Sequence, residues 1–80
     1  MDFIDVGFGN YVARSRIVAV ASPDSLPVRR LVQDAKSVNR VIDVSCGKKT
    51  KSVILTDSEH VILSALDTFE ISGSLNGGVA

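Results

Sequence analysis

Cysteine is nearly absent from this chain. Its 80 residues include only Cys46, so an intramolecular disulfide is excluded. His60 is the only histidine, and the two together fall short of the four ligands that a structural zinc site takes. Tryptophan is missing, and the aromatic residues are only Phe3, Phe8, Tyr11 and Phe69. Single-strand binders stack bases on aromatic platforms, so this scarcity weighs against that class. No apolar run approaches the ~20 residues that span a bilayer. The start has no charged segment followed by an apolar one, so no secretory signal is expected. A lone thiol fits a reducing compartment, and the expected location is the cytoplasm.

A domain of this size buries a limited share of its surface. Disulfides and structural metal being excluded, oligomerisation is the support that remains. The expected organisation is one domain over residues 1–76, followed by a flexible tail at 77–80. No cofactor and no small-molecule substrate is expected.

The formal charge of zero hides a polarity. All nine lysines and arginines fall between Arg14 and Lys51. Asp24, Asp34 and Asp43 are the acids of that window, which leaves a surplus of six positive charges. After Lys51 come Asp57, Glu59, Asp67 and Glu70, with no lysine or arginine. Such a split points to an anionic partner for one face, or to a neighbouring copy whose acidic end meets the basic one.

Hydrophobic patterning predicts an α+β fold. Phe3–Val6 and Tyr11–Ala13 read as short strands around the turn Gly7-Phe8-Gly9-Asn10. Ile17–Ala21 is apolar throughout. A helix begins near Ser25, a fitting N-cap, with Pro27 tolerated in the first turn. Val28, Leu31, Val32, Ala35 and Val38 form its apolar stripe, and Asn39 suits the left-handed position that ends it. Val41–Ser45, Ser52–Thr56 and Val61–Leu66 then read as a meander of antiparallel strands. Asp67 or Thr68 caps a short final helix, with Ile71 and Leu75 on one face and Gly73 weakening it. The expected architecture is a five-stranded antiparallel sheet, or two small sheets, with one main helix.

Ile17–Ala21, Val53–Leu55 and Val61–Leu63 do not alternate apolar with polar residues, as a sheet with one wet face would. Two helices, one of them weak, hardly cover both faces. Another copy of the chain is the simpler cover for the spare face. Two small sheets closing on each other within one chain is the alternative.

The segment Cys46-Gly47-Lys48-Lys49-Thr50-Lys51-Ser52 lies between two apolar runs and reads as a hairpin with a cationic tip. A rigid positive loop suits a phosphate backbone, although lysine is also common in solvated turns. Gly47-Lys48 fails the Walker pattern, because Ile42 and Lys49 stand where Gly and Ser or Thr are needed. Gly7-Phe8-Gly9 lacks the third glycine of a dinucleotide fingerprint, since Val12 takes its place. Cys46 reads as a small buried hydrophobe and His60 as a structural or solvent-facing residue. No acid–base or nucleophile constellation is legible, so no enzymatic activity is expected. Arg14 and Arg16 share one side of an extended segment, and the guanidinium fork suits phosphate. Arg29 and Arg30 sit at the disfavoured end of the helix dipole, a small cost that an anionic ligand or a carboxylate of a neighbouring subunit would offset.

Phe3-Ile4-Asp5-Val6-Gly7-Phe8-Gly9-Asn10, Ser22-Pro23-Asp24-Ser25 with Pro27, Ile42-Asp43 before Gly47-Lys48-Lys49-Thr50-Lys51, and Asp57-Ser58-Glu59-His60-Val61-Ile62-Leu63-Ser64-Ala65 agree in order and spacing with a known pattern. Over about Phe3–Leu75 the chain resembles the RemA family, the extracellular matrix regulatory proteins of bacteria. The resemblance implies a DNA-binding transcriptional regulator that activates biofilm matrix genes. It also implies a fold like the LytTR DNA-binding domain, ring-like homo-oligomers built from dimers, and association with the nucleoid. The family's functional arginine after the first Gly-Phe-Gly block falls on Arg16. Its paired arginines fall on Lys48 and Lys49, and Lys51 takes a further basic position. Lysine keeps the charge and loses the bidentate fork, which favours phosphate attraction over reading of base edges.

The expected interface is therefore Arg16, Lys48, Lys49, Lys51 and Arg14 on duplex DNA, with Arg29 and Arg30 as secondary contacts, repeated around a homo-oligomer. A ring-forming RNA-binding or scaffold protein is the alternative.

Overall fold

Ser25 opens the main helix with extended backbone, and its carbonyl accepts the Arg29 N–H at 3.0 Å. The helix, α1, spans Leu26–Ser37 and carries Pro27 in its first turn, where no hydrogen bond is lost. Its end is a Schellman motif. Asn39 adopts φ 59°, its N–H reaches the Lys36 carbonyl, and the Arg40 N–H reaches the Ala35 carbonyl at 2.8 Å. A side chain that tolerates the left-handed region at this position is what the sequence supplies.

The computed structural model describes residues 2–77. Six strands form two sheets. Strands β1 (Phe3–Gly7) and β2 (Asn10–Ala13) make an antiparallel hairpin. Strands β3 (Ile17–Ala21), β4 (Val41–Asp43), β5 (Ser52–Thr56) and β6 (Val61–Ser64) form the second sheet in the order β3-β5-β6-β4. Helix α2 follows at Thr68–Gly77.

The expected single five-stranded sheet is thus replaced by the two-sheet arrangement. The expected meander is also corrected. β4 lies parallel to β6, while β5 pairs antiparallel with both β3 and β6. So β3 and β4 run in the same direction, are joined by α1, and hold β5 and β6 between them. This is a split β-α-β unit. The segment after β4 passes the end of β6 to reach β5 and is not a hairpin turn.

Two cores explain the unbroken apolar strands. α1 covers one face, where Ala35 packs with Val53, Val61 and Leu63, flanked by Val28 and Val32. The β1–β2 hairpin and α2 cover the other, where Ile4, Val6, Ile54, Ile62 and Ile71 are buried together. The spare face therefore needs no second copy: the hairpin supplies the missing cover.

α2 starts as its sequence suggests. The Asp67 carboxylate accepts the Glu70 N–H at 2.8 Å, and the Glu70 carboxylate reaches back to the Asp67 N–H. This reciprocal cap, with burial of Ile71, outweighs the roughly 1 kcal/mol that Gly73 costs a helix interior. The expected tail begins at the last residue of α2, and from 78 onward it lies outside the described residues.

β3 and β4 are the two edges of the larger sheet. β3 carries no charge and no proline, the usual protections of an edge. Its register slips between Ile17 and Ala19, and Val18 at that slip is exposed. Beside it Leu31 and Val38, two members of the expected apolar stripe of α1, stay exposed along an open groove of about 660 Å³. Among the described residues, no helix is long and apolar enough to cross a membrane.

Candidate nucleic-acid interface

The lysine loop is built by its own backbone chemistry. The Asp43 carboxylate accepts both the N–H and the hydroxyl of Ser45, at 2.9 and 2.6 Å. Cys46 and Gly47 then take φ 54° and 78°, and the Lys48 N–H closes the turn on the Ser45 carbonyl at 3.0 Å. This is a type I′ turn, normally reserved for Asn or Asp followed by Gly. The Val44 N–H binds the Leu63 carbonyl, and the Lys51 N–H binds the Ser64 carbonyl at 2.8 Å. The loop is therefore pinned at both ends to β6, with Lys48, Lys49 and Lys51 exposed. Cys46 is exposed as well, which corrects its expected burial. A central residue of a projecting turn has no core to enter.

The hydrogen bonds from Ser45, and then the charge of Lys36, hold the Asp43 carboxyl below its usual 3.8. Its folded pKa lies below its unfolded one. The stabilisation is complete above the unfolded value and is lost as pH falls through the folded value. An NMR titration is expected to place the Asp43 midpoint under 3.8, with the amide shifts of Ser45 and Lys48 moving at the same midpoint.

The arginines part company. Arg14–Arg16 form a 3₁₀ turn and not an extended segment, so the two side chains do not share a side. Arg14 turns inward to the last turn of α2, donating to the Leu75 and Ser74 carbonyls, and lies 3.4 Å from the Asp2 carboxylate. It acts as a C-terminal clamp for that helix. Arg16 stays exposed and pairs with Asp57 at 3.2 Å.

Arg16 stands where β3 begins and β5 ends, whereas the lysines stand where β5 begins. The five residues of β5 separate them by roughly 16 Å at ~3.3 Å per residue. One protomer cannot close both on a single phosphate. The topology instead brings the secondary candidates to the lysine end. α1 leaves the carboxyl end of β3, so Arg29 and Arg30 in its first half lie at the same end as Lys48, Lys49 and Lys51. Both are exposed, with Arg29 held by the Pro23 carbonyl at 3.2 Å. Sequence spacing did not reveal this grouping, which follows from strand direction.

At the opposite end, Ser58 Oγ lies 2.8 Å from His60 Nδ1 and 3.0 Å from Thr56 Oγ1. Arg40 ties the same turn down through the Ser58 carbonyl at 3.1 Å. Among the described residues, the other ring nitrogen of His60 has no hydrogen-bonded carboxylate to orient it, as an acid–base pair would normally have.

A family model described as "Extracellular matrix regulatory protein A-like" matches residues 3–75, from β1 almost to the end of α2. The chain belongs to the RemA-like family. Relatives across distant bacteria support the membership. A protein of Dictyoglomus turgidum is 49% identical over 78 residues, covering 98% of this chain and 92% of its own. One from Nitratidesulfovibrio vulgaris is 55% identical over 65 residues, covering 81% and 76%. One from Geobacillus thermodenitrificans is 43% identical over 77 residues, covering 96% and 88%. Each carries the name "Putative regulatory protein". Both the lysine loop and Arg16 of this RemA-like chain lie inside the matched span.

Proposed function

We propose that this RemA-like protein is a transcriptional regulator of the matrix-gene activator type that binds duplex DNA through its lysine loop. One observation carries the reading: three exposed lysines ride on a turn fixed by Asp43, Ser45 and two backbone bonds to β6. A loop with a preordered backbone leaves only the lysine side chains to be ordered when they meet phosphates. Arg29 and Arg30 extend the positive end, and Arg16 supplies a second contact further along the surface. DNA shape and bending would provide sequence preference.

The reading includes a homo-oligomer, a ring of dimers with a LytTR-like protomer, in the cytoplasm at the nucleoid. The uncharged edge of β3 and the apolar groove beside it support self-association. Repetition lets weak contacts add on one DNA molecule. It also lets Arg16 of one protomer approach the lysines of another, which one chain alone does not allow.

Binding to a short duplex is expected to weaken steeply with salt, with a slope of about −0.9 per phosphate neutralised. Light scattering with and without the duplex reads the assembly in the same samples. A monomer that ignores DNA at low salt defeats the proposal. An RNA-binding or scaffold role is the second reading, favoured by the exposure of all four aromatic side chains. Competition of single-stranded RNA against the duplex separates the two.

A further inference from the structure

Phe3, Phe8, Tyr11 and Phe69 are 55, 53, 62 and 85% exposed. Phe8 differs from the other three in its backbone. It has φ 55° and, with Gly9 at φ 79°, forms the two-residue turn between β1 and β2. Asn, Asp or Gly normally takes the first position of such a turn. A bulky ring there is an outlier. The turn does not use the ring: its side-chain bonds come from Asn10, whose amide donates to the Gly7 and Phe8 carbonyls at 2.9 and 3.3 Å. Neither buried core includes Phe8. Local geometry and packing both leave the choice of phenylalanine unexplained.

Its place in the fold offers a reason. The Ser64 hydroxyl donates to the Val6 carbonyl at 2.7 Å, and the Ser64 carbonyl accepts the Lys51 N–H at 2.8 Å. A Cβ on Gly7 would lie 3.6 Å from Leu66. These contacts hold the hairpin tip at the same end of the molecule as the lysine loop. The space beside Gly9 is open, and the acids of this end, Asp5 and Asp67, accept the Gly7 and Glu70 N–H groups, each at 2.8 Å.

We propose that Phe8 is the apolar contact of the DNA interface, its ring wedging at a base step while the lysines hold the backbone. The inference rests on the reading of the lysine loop as a duplex-binding site. Aromatic and aliphatic wedges that partly unstack a step are a general way to bend DNA. One ring at the tip of a rigid hairpin fits that task. A single-strand platform needs successive rings, and Phe3 and Tyr11 sit back on the strands.

Two variants test it. Phe8→Asn installs a residue the turn favours, so its melting midpoint should rise by about 4–8 °C. Its duplex affinity should fall about tenfold at fixed salt. The slope of affinity against salt should not change, because no charge is removed. Phe8→Trp gives the chain its only tryptophan. That variant should keep affinity within about threefold, on the small-change scale of volume-tolerant swaps, and its emission should be quenched by duplex. Wild-type affinity in Phe8→Asn, a changed salt slope, or emission indifferent to saturating duplex overturns the wedge. So does equal quenching by single-stranded RNA. If the wild type itself does not bind duplex, the lysine-loop reading fails and takes this inference with it. If the wild type binds and Phe8→Asn matches it, the wedge alone fails.

Discussion

Changing Lys48 and Lys49 together to alanine is expected to flatten the salt dependence of DNA binding by about 1.8 for each protomer engaged, at −0.9 per phosphate contact. Extrapolated from 1 M salt, where the two proteins should bind alike, that is roughly a 60-fold loss at 0.1 M for each protomer. The fold should not register the change. Both side chains are exposed, and the loop is held by Asp43, Ser45, Lys51 and the backbone. The particle mass by light scattering and the melting midpoint should therefore match wild type. Replacing both by arginine should keep the slope, since the charge is retained and a bidentate fork is gained. An alanine pair that binds with the wild-type slope would show that these lysines do not face the DNA.

Ile54→Ala should cost about 2–5 kcal/mol of stability, the range for emptying a packed aliphatic site. Ile54 is fully buried in the middle of β5 and packs with Ile4, Val6, Ile62 and Ile71. It is the place where the hairpin, the sheet and α2 meet. A domain of this size has only about 5–15 kcal/mol in total, so the loss is a large share. Urea unfolding should show a lower midpoint, and Ile54→Val should lose only about 0.5–1.5 kcal/mol. If Ile54→Ala unfolds at the wild-type urea concentration, the hairpin is not a working part of the core.

The helices were legible because their signals are local. Ser25, Pro27 and Asn39 mark the ends of α1, and Asp67 with Glu70 marks the start of α2. Strand pairing was not legible, because partner choice is made across long stretches of chain. Ser52–Thr56 followed by Val61–Leu63 does form neighbouring strands, as a short connection predicts. The equally short step from β4 to β5 does not, because α1 has already delivered β4 to the outer side of β6. The same blindness affected the site. The lysine loop reads as cationic and exposed, and it is both. Arg14 reads as an interface residue from its guanidinium and an extended Arg14–Arg16 segment, yet that segment is a 3₁₀ turn and Arg14 is committed to the carbonyls of α2, sixty residues away. Only the direction of β3 puts Arg29 and Arg30 at the lysine end of the fold.

The order of strands also governs how the chain must be made. Ile17 pairs with Thr56, so β3 has no mate until α1, β4 and the whole lysine loop have been synthesised. At about 5–20 residues per second on the ribosome, this apolar segment spends seconds in the open. Nascent chains on neighbouring ribosomes can meet through it during that interval. Expression yield should therefore respond to growth temperature and chaperone supply more sharply than the stability of the finished protein would suggest.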